Sequence, residues 1–524
     1  MIQSKLKIVF CAVIALLSVE TISAQSMYDA YKLSQSRPEG TARSMAMGNA
    51  FTALGGDLGS IAINPAASAV YRYSEFSITP NITVGGANTS YLGNRTTDSK
   101  TQFGISNLGL VTSHNTGRHN SGLVSWSFGA LINKNNNFTS RMSAFGETAE
   151  SSWLGAAAQS TNGIHSSHLD MNDDYDPFYE STAPWRSILA WNATLLDLLP
   201  DSNTEYIGAT ENINGYSIAV SGPLEQMYSK EVTGSISEAI LNFGGNFANK
   251  LYIGASIGIQ TISYKSIESY SENALNSTDF QTGFQSFTHS YNLNTQGTGI
   301  NLKAGLIYLP VAGLRLGASI STPTWMYLQD EWEEEMSSSF DDGYSQKLYS
   351  PLGAYEYNLK TPFRWSVGAA YTFNKIGAIS VDYEAVNYSQ MKLSSQYNTN
   401  DFNYENSDIK ESYGKSNILR VGAEINVAPQ FALRGGYQYY SNGELTYNNY
   451  TPVASEYISA GAGYTSSNGI FLDIAYQQRL NANSESFWLY DDIIDGNDKV
   501  LTAAPEGLLT PNLSQFVVTL GFKF

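Results

Sequence analysis

Residues 254–258 read Gly-Ala-Ser-Ile-Gly, a spacing that can present a serine as a nucleophile. That chemistry needs a sharp strand-to-helix turn. Ser256 instead lies in the middle of an alternating run, so no acyl-transfer serine is expected. His165 and His168 are followed by Asp170, Asn172, Asp173 and Asp174. The 170/172/174 spacing suits a calcium loop, but Tyr175 stands where that loop needs glycine, and a solvated acidic loop fits better. Glu331 and Glu333 to Glu335 form a second acidic group, suited to solvation or to divalent-bridged lipopolysaccharide. Arg364, Arg420, Arg434 and Arg479 fall on the polar faces of four late strand-like segments. A guanidinium there can grip a ligand carboxylate in bidentate fashion. The favoured alternative is a charge network with Asp382, Glu384, Glu424 and Asp473. The sequence has no Gly-rich phosphate loop, no His-Glu-x-x-His site and no cysteine cluster. No cofactor, metal or catalytic dyad is therefore expected, and an enzyme is the least supported class.

The elements that carry these residues are strands. In the last segment, SQFVVTLGFKF, Phe516, Val518, Leu520, Phe522 and Phe524 share one face, opposite Gln515, Thr519 and Lys523. GIFLDIAYQQRL, FRWSVGAAYTF and GAISVDYEA alternate in the same way. One apolar, aromatic face against a polar or small one fits a transmembrane strand, and also a soluble sandwich. The runs are ten residues or so long, as a tilted bilayer crossing requires, and aromatics gather at their ends. About fourteen runs are expected, near 73–86, 101–113, 121–134, 229–248, 250–266, 285–310, 313–331, 353–374, 376–393, 412–428, 430–443, 454–466, 469–484 and 512–524. Turns at 249, 311–312, 375, 429 and 467–468 are tight. Connections at 87–100, 135–228, 267–284, 332–352, 394–411, 444–453 and 485–511 are long. Short turns on one side and long loops on the other describe an all-β outer-membrane barrel with its long loops outside the cell.

Composition agrees. Hydrophobic residues make up 42% and charged residues 15%, with 35 Tyr and 23 Phe, which is not a disordered composition. The formal net charge of −18 argues against a nucleic-acid partner. Residues 1–24 read as a cleaved signal peptide: Lys5 and Lys7, an apolar run from Ile8 to Leu17, and Ile22-Ser23-Ala24 before Gln25. Cys11, the single cysteine, lies inside that leader. No later run is long and apolar enough for a transmembrane helix.

Residues 25–72 hold nothing strand-like. A fourteen-stranded barrel is too wide for its own side chains to fill, so a compact Gly/Ala-rich segment of this size fits a plug. The stretch GTARSMAMGNAFTALGGDLGSIAINPAASAVY resembles the N-terminal hatch of the FadL/TodX outer-membrane transporters of long-chain fatty acids and other hydrophobic compounds. The matching residues are Gly48 and Ala50, Asp57, and Asn64-Pro65-Ala66. STPTWMYLQD and KTPFRWSVGAAYTFNKIGAISVDYEAVNYSQ continue the likeness.

The resemblance implies passive transport: a hydrophobic ligand is caught by external loops, the hatch moves, and the ligand leaves sideways through a gap made by a kinked third strand. It divides the chain into hatch, 25–72, and barrel, 73–524, whose largest loop is 135–228. In that loop Trp185, Ile188, Leu189, Trp191, Leu195, Leu196 and Leu199 are capture candidates, against the reading that they pack only on one another. Gly122 and Gly129 are the candidates for a kink in the third strand. Phe524 is the expected signal to the barrel-assembly machinery. The expected partners are a hydrophobic ligand and outer-membrane lipid, and the expected state is a monomer. A surface adhesin or receptor on the same barrel is the alternative, and it needs no Asn-Pro-Ala plug.

Overall fold

The computed structural model describes residues 26–214, 217–374, 376–396, 400–445, 452–480, 484–495 and 499–524. The expected leader, with Cys11, lies outside them. A closed antiparallel barrel of fourteen strands forms the body. In order these are β1 (Glu75–Tyr91), β2 (Asn94–Asn115), β3 (Leu123–Asn137, continued by Ser140–Thr148), β4 (Leu224–Phe247), β5 (Leu251–Ala274) and β6 (Phe284–Tyr308). Then come β7 (Leu314–Ser321, continued by Trp325–Phe340), β8 (Gly353–Lys360 and Arg364–Thr372), β9 (Gly377–Asn387 and Lys392–Ser394) and β10 (Lys415–Ala428). The last are β11 (Phe431–Tyr440), β12 (Ser455–Thr465), β13 (Ile470–Leu480) and β14 (Gly507–Lys523). Pairing of β14 with β1, from Lys523 opposite Glu75 to Gly507 opposite Tyr91, closes the ring.

The two faces are inverted relative to a soluble protein. Ile253, Ile257, Leu302, Leu306, Ile379, Val381, Leu419, Phe516 and Leu520 are exposed, while Asp382, Arg420, Gln515 and Thr519 are buried. Apolar surface on this scale is stable only against hydrocarbon. This inversion rules out the sandwich, where the apolar face would be the hidden one.

Several expected loops are strand instead. The connection 87–100 shrinks to the tight turn at Leu92-Gly93, both with positive φ, because β1 and β2 pair as far as Tyr91 and Asn94. Likewise β5 runs to Ala274, and β7 climbs to Phe340 before a hairpin with Ser345–Tyr349. Above the bilayer both faces of a strand meet water, so alternation disappears from the sequence while the ladder continues.

Residues 26–72 coil against the inner face. The helix Leu58–Ile63 is capped by Asp57 and ends at Asn64, because Pro65 cannot extend it. Asn64 then caps the 3-10 turn Pro65–Val70. Glycines in the wall admit this segment. A Cβ on Gly254 would strike the Pro65 carbonyl, one on Gly305 the Asn64 side chain, and one on Gly317 the Thr52 carbonyl. Gly422 and Gly436 stand equally close to Met47 and Gly48. Long connections fold into a cap over the other end, built on the helices Trp153–Thr161 and Trp185–Asn192.

Candidate functional site

The wall changes at β3. Its ladder with β2 runs from Ser125 opposite Asn115 to Asn133 opposite Asn107, and stops. Beyond that point residues 94–106 of β2 pair with β1 alone. β3 continues only against β4, through a register shift between Lys134 and Asn136. It turns inward there: a Cβ on Gly85 of β1 would meet the Thr139 carbonyl. The Ser143 carbonyl then accepts from the hydroxyls of Thr89 and Thr96. The upper half of β3 thus leaves the wall and lies inside the β1–β2 hairpin, leaving one edge of β2 without a strand among the described residues. Phe103 on that edge is 76% exposed.

The N-terminal segment takes up the freed backbone. Arg37 N–H donates to the Asn135 carbonyl at 2.8 Å, and Glu39 N–H to the Lys134 carbonyl at 2.8 Å. The Glu39 carboxylate, 3% exposed, ties four strands to this point. It accepts from Asn81 Nδ2 (3.0 Å, β1), Ser106 Oγ (2.6 Å, β2), Asn137 Nδ2 (3.2 Å, β3) and Gln515 Nε2 (2.7 Å, β14). Lys134 Nζ stands 3.7 Å away. Sequence reasoning missed Glu39, a single carboxylate in an unremarked Arg-Pro-Glu-Gly stretch. It also missed Lys134 to Thr139, where the run of asparagines 135–137 was the available signal.

The expected hatch residues all join the segment to itself or to the wall. Gly48, with φ of 60°, sits where a Cβ would come 3.0 Å from the backbones of Tyr437 and Val421. Asp57 accepts from Gly59 N–H and from the Thr41 hydroxyl. Asn64 Nδ2 donates to the Thr52 carbonyl at 2.6 Å and to the Leu306 carbonyl of β6 at 3.2 Å. Its Oδ1 accepts from Ala66 N–H, and Pro65 and Ala66 are buried against β5.

Gly122 and Gly129 do not mark the departure of β3. Gly122 lies in the turn before the strand, and Gly129 lies in its fully paired part, beside Ile61. Loss of pairing on one side needs donors that can be satisfied elsewhere, which the amide side chains provide; a flexible residue is not required.

The arginines are engaged by carboxylates. Arg364 and Arg420 share Glu384, at 3.1 and 2.9 Å, and Arg434 bridges Glu424 and Asp473. Arg43 of the N-terminal segment joins Glu424 at 2.9 Å. Among the described residues, the carboxylate nearest Arg479 in an ion pair is that of Glu485, at 3.8 Å.

Of the capture candidates, Ile188, Leu189 and Leu195 are fully buried in the cap, and Leu196 nearly so, packed with Trp153, Phe284 and Met336. Trp185 lies against Trp332, Trp191 donates to Asp170 at 2.6 Å, and Leu199 is half-buried. Glu211, buried in the same cap, accepts from Gly208 N–H at 2.9 Å. Burial pushes its carboxyl up to about 7.

A family model described as outer membrane protein transport protein (OMPP1/FadL/TodX) matches residues 226–489. The chain belongs to this family. The Pseudomonas putida toluene transporter TodX superposes with a TM-score of 0.50 at 14% identity, over 94% of this chain and 100% of that one. A Pseudomonas aeruginosa FadL homologue does so with 0.51 at 12% identity, over 93% and 99%. At these identities the likeness is one of fold. No curated protein sequence matches the chain. Membership places the barrel in the bacterial outer membrane.

Proposed function

We propose that the chain carries hydrophobic small molecules passively across the outer membrane, from capture at the external cap, past a movable N-terminal hatch, to sideways release where β3 leaves the wall. One observation carries this reading: the backbone that β3 frees from β2 is hydrogen-bonded by Arg37 and Glu39 of the hatch itself. Movement of the hatch therefore cannot leave the wall unchanged. An apolar molecule gains nothing by entering water at the far end, and a side exit returns it to hydrocarbon. The structural neighbour TodX is a toluene transporter by description, which supports an apolar cargo. An adhesin would have no use for such a coupling.

The test combines native mass spectrometry of the purified protein in mild detergent with uptake of a labelled long-chain fatty acid and of toluene into vesicles. It compares the wild type with the Asn64→Ala/Pro65→Ala variant. Co-purified apolar ligand, and uptake that changes in the variant, supports transport and identifies the cargo class. An empty barrel that takes up neither compound would refute the reading.

A further inference from the structure

A second interruption crosses the wall at β7 and β8. The ladder between them reaches Ser321 opposite Arg364 and resumes at Trp325 opposite Lys360. The intervening residues are Thr322-Pro323-Thr324 and Thr361-Pro362-Phe363. Two prolines side by side remove two ladder donors. The seam is spanned instead by Thr361 N–H to the Thr324 carbonyl, 3.0 Å, and by Thr324 N–H to Thr361 Oγ1, 2.8 Å.

Each side of the seam holds a hollow, and the two share residues. Inside lies a cavity of about 90 Å³ between the N-terminal segment and the wall. It touches Ser34 and Arg420, yet also Ile320 and Trp365, which face outward and are 50% and 41% exposed. Outside lies an apolar depression of about 600 Å³ that runs from Phe128 across β4 to β6 as far as Phe363. Ile320 and Thr322 line both.

The inner cavity is built for a polar group. Ser34 Oγ, Gln260 Oε1, Asn301 Oδ1 and Arg420 Nε line it, buried and without a hydrogen-bond partner among the described residues. Such groups in folded proteins normally have one. Its charged lining is Lys303, Arg364 and Arg420 against Glu384, and Lys303 is already matched by Glu238. The next carboxylate, Asp382, accepts from Thr52 N–H at 2.7 Å.

We infer that this seam is a second lateral port and binding site, distinct from the opening at β3. Its occupant is a single-chain amphiphile with an anionic head: the head meets Arg364 and Arg420 inside, and the tail passes Thr322 into the outer depression. The inference rests on the transport reading only for the direction of flow.

The test uses palmitate with a diazirine beside its carboxylate, preloaded into the bilayer of nanodiscs that hold the full-length protein. Photo-adducts are placed by peptide mass spectrometry in the wild type and in the Thr324→Cys/Thr361→Cys variant, whose cysteines sit across the seam from each other. Cys11, the only native cysteine, is replaced by serine in both proteins, so no other disulfide competes. Adducts are expected on Leu33 to Gln35 and on Ser366. They are expected to vanish when the variant is oxidised and to return on reduction. Adducts confined to Lys134–Thr139, no inner adducts in the wild type, or inner adducts that survive oxidation would each overturn the port. Vesicle uptake is read in parallel. Uptake that persists in the oxidised variant while inner adducts survive keeps the transport reading and removes the port; inner adducts that respond to the lock without any uptake do the reverse.

Discussion

Glu39→Ala tests the coupling between hatch and wall most directly. The carboxylate is buried and accepts four hydrogen bonds, from side chains on β1, β2, β3 and β14. Truncation leaves four donors facing a space the size of a carboxymethyl group. A buried donor without a partner costs about 1–3 kcal/mol, and water entering the new space recovers part of that. A net loss of about 3–5 kcal/mol is expected, against a domain stability of about 5–15 kcal/mol. The loss falls on the hatch rather than the barrel, because the strand ladders do not depend on Glu39. Glu39→Gln is expected to recover little, since its amide nitrogen would face donors. The assay is hydrogen exchange of the backbone amides of residues 26–72 in the intact protein, with single-channel conductance alongside. The variant should exchange these amides much faster at unchanged barrel protection, with Lys134 to Thr139 following, and should show current through a loosened plug. Hatch exchange equal to the wild type would refute the assignment of Glu39 as the tie. Fast hatch exchange with a fully protected 134–139 segment would refute the coupling.

Gly85→Ala places a methyl group against the Thr139 carbonyl and should force the upper half of β3 off the β1–β2 hairpin, at about 1–3 kcal/mol; uptake falls while the folded barrel still migrates as such on a cold gel. Glu384→Gln leaves the buried guanidinium groups of Arg364 and Arg420 without their shared charge, at about 3–5 kcal/mol, and should lower the temperature at which the barrel unfolds. Glu211 sets a pH response in the cap. Its folded value, about 7, lies above the ordinary carboxyl range, so the packed cap holds the proton more tightly than the opened one. That stability is fully present at acid pH and is lost as pH rises through 7. Protease cleavage within residues 150–220 should therefore speed up between about pH 5 and about pH 8.5, and Glu211→Gln should flatten the dependence.

The barrel was readable because hydrocarbon imposes a rule on every second residue between the turns and the aromatic ends. Fourteen alternating runs and tight turns such as those at 249 and 429 follow from that rule. Beyond the bilayer the rule lapses, which is why 87–100 reads as a loop and folds as a hairpin. The N-terminal segment was visible as a unit, since Asn64-Pro65 stops a helix whatever surrounds it. Its partners were not, because Glu39 contacts residues from 42 to 476 positions away and has no local signature. The wall glycines are an intermediate case. Gly244, Gly254 and Gly305 are consecutive cross-strand partners, a pattern that appears only once the register is known. Looking for a flexible glycine at the β3 departure was mistaken on physical grounds, as the strand parts from β2 at Asn133 to Asn137, where side-chain amides take over the lost pairing.

The two places where the wall is interrupted use opposite devices. At β3 the backbone keeps its polar groups and finds them new partners: its N–H groups donate to asparagine side chains and to β4, and its carbonyls accept from the N-terminal segment. At β7 and β8 proline deletes two donors, and the bonds that span the seam, between Thr324 and Thr361, lie within the wall, so the interruption does not depend on the seating of the hatch. The first interruption is therefore conditional. Seating Arg37 and Glu39 satisfies the Asn135 and Lys134 carbonyls, and unseating them exposes polar backbone that must find water or re-pair with β2. The second interruption is built into the covalent chain. An amphiphile that displaces the hatch from above would find the β7–β8 seam unchanged, and its head would meet Arg364, which donates to the Ser34 carbonyl of the N-terminal segment at 2.6 Å. Hatch movement would then free one donor of that guanidinium beside the seam, while Glu384 still holds its other nitrogen.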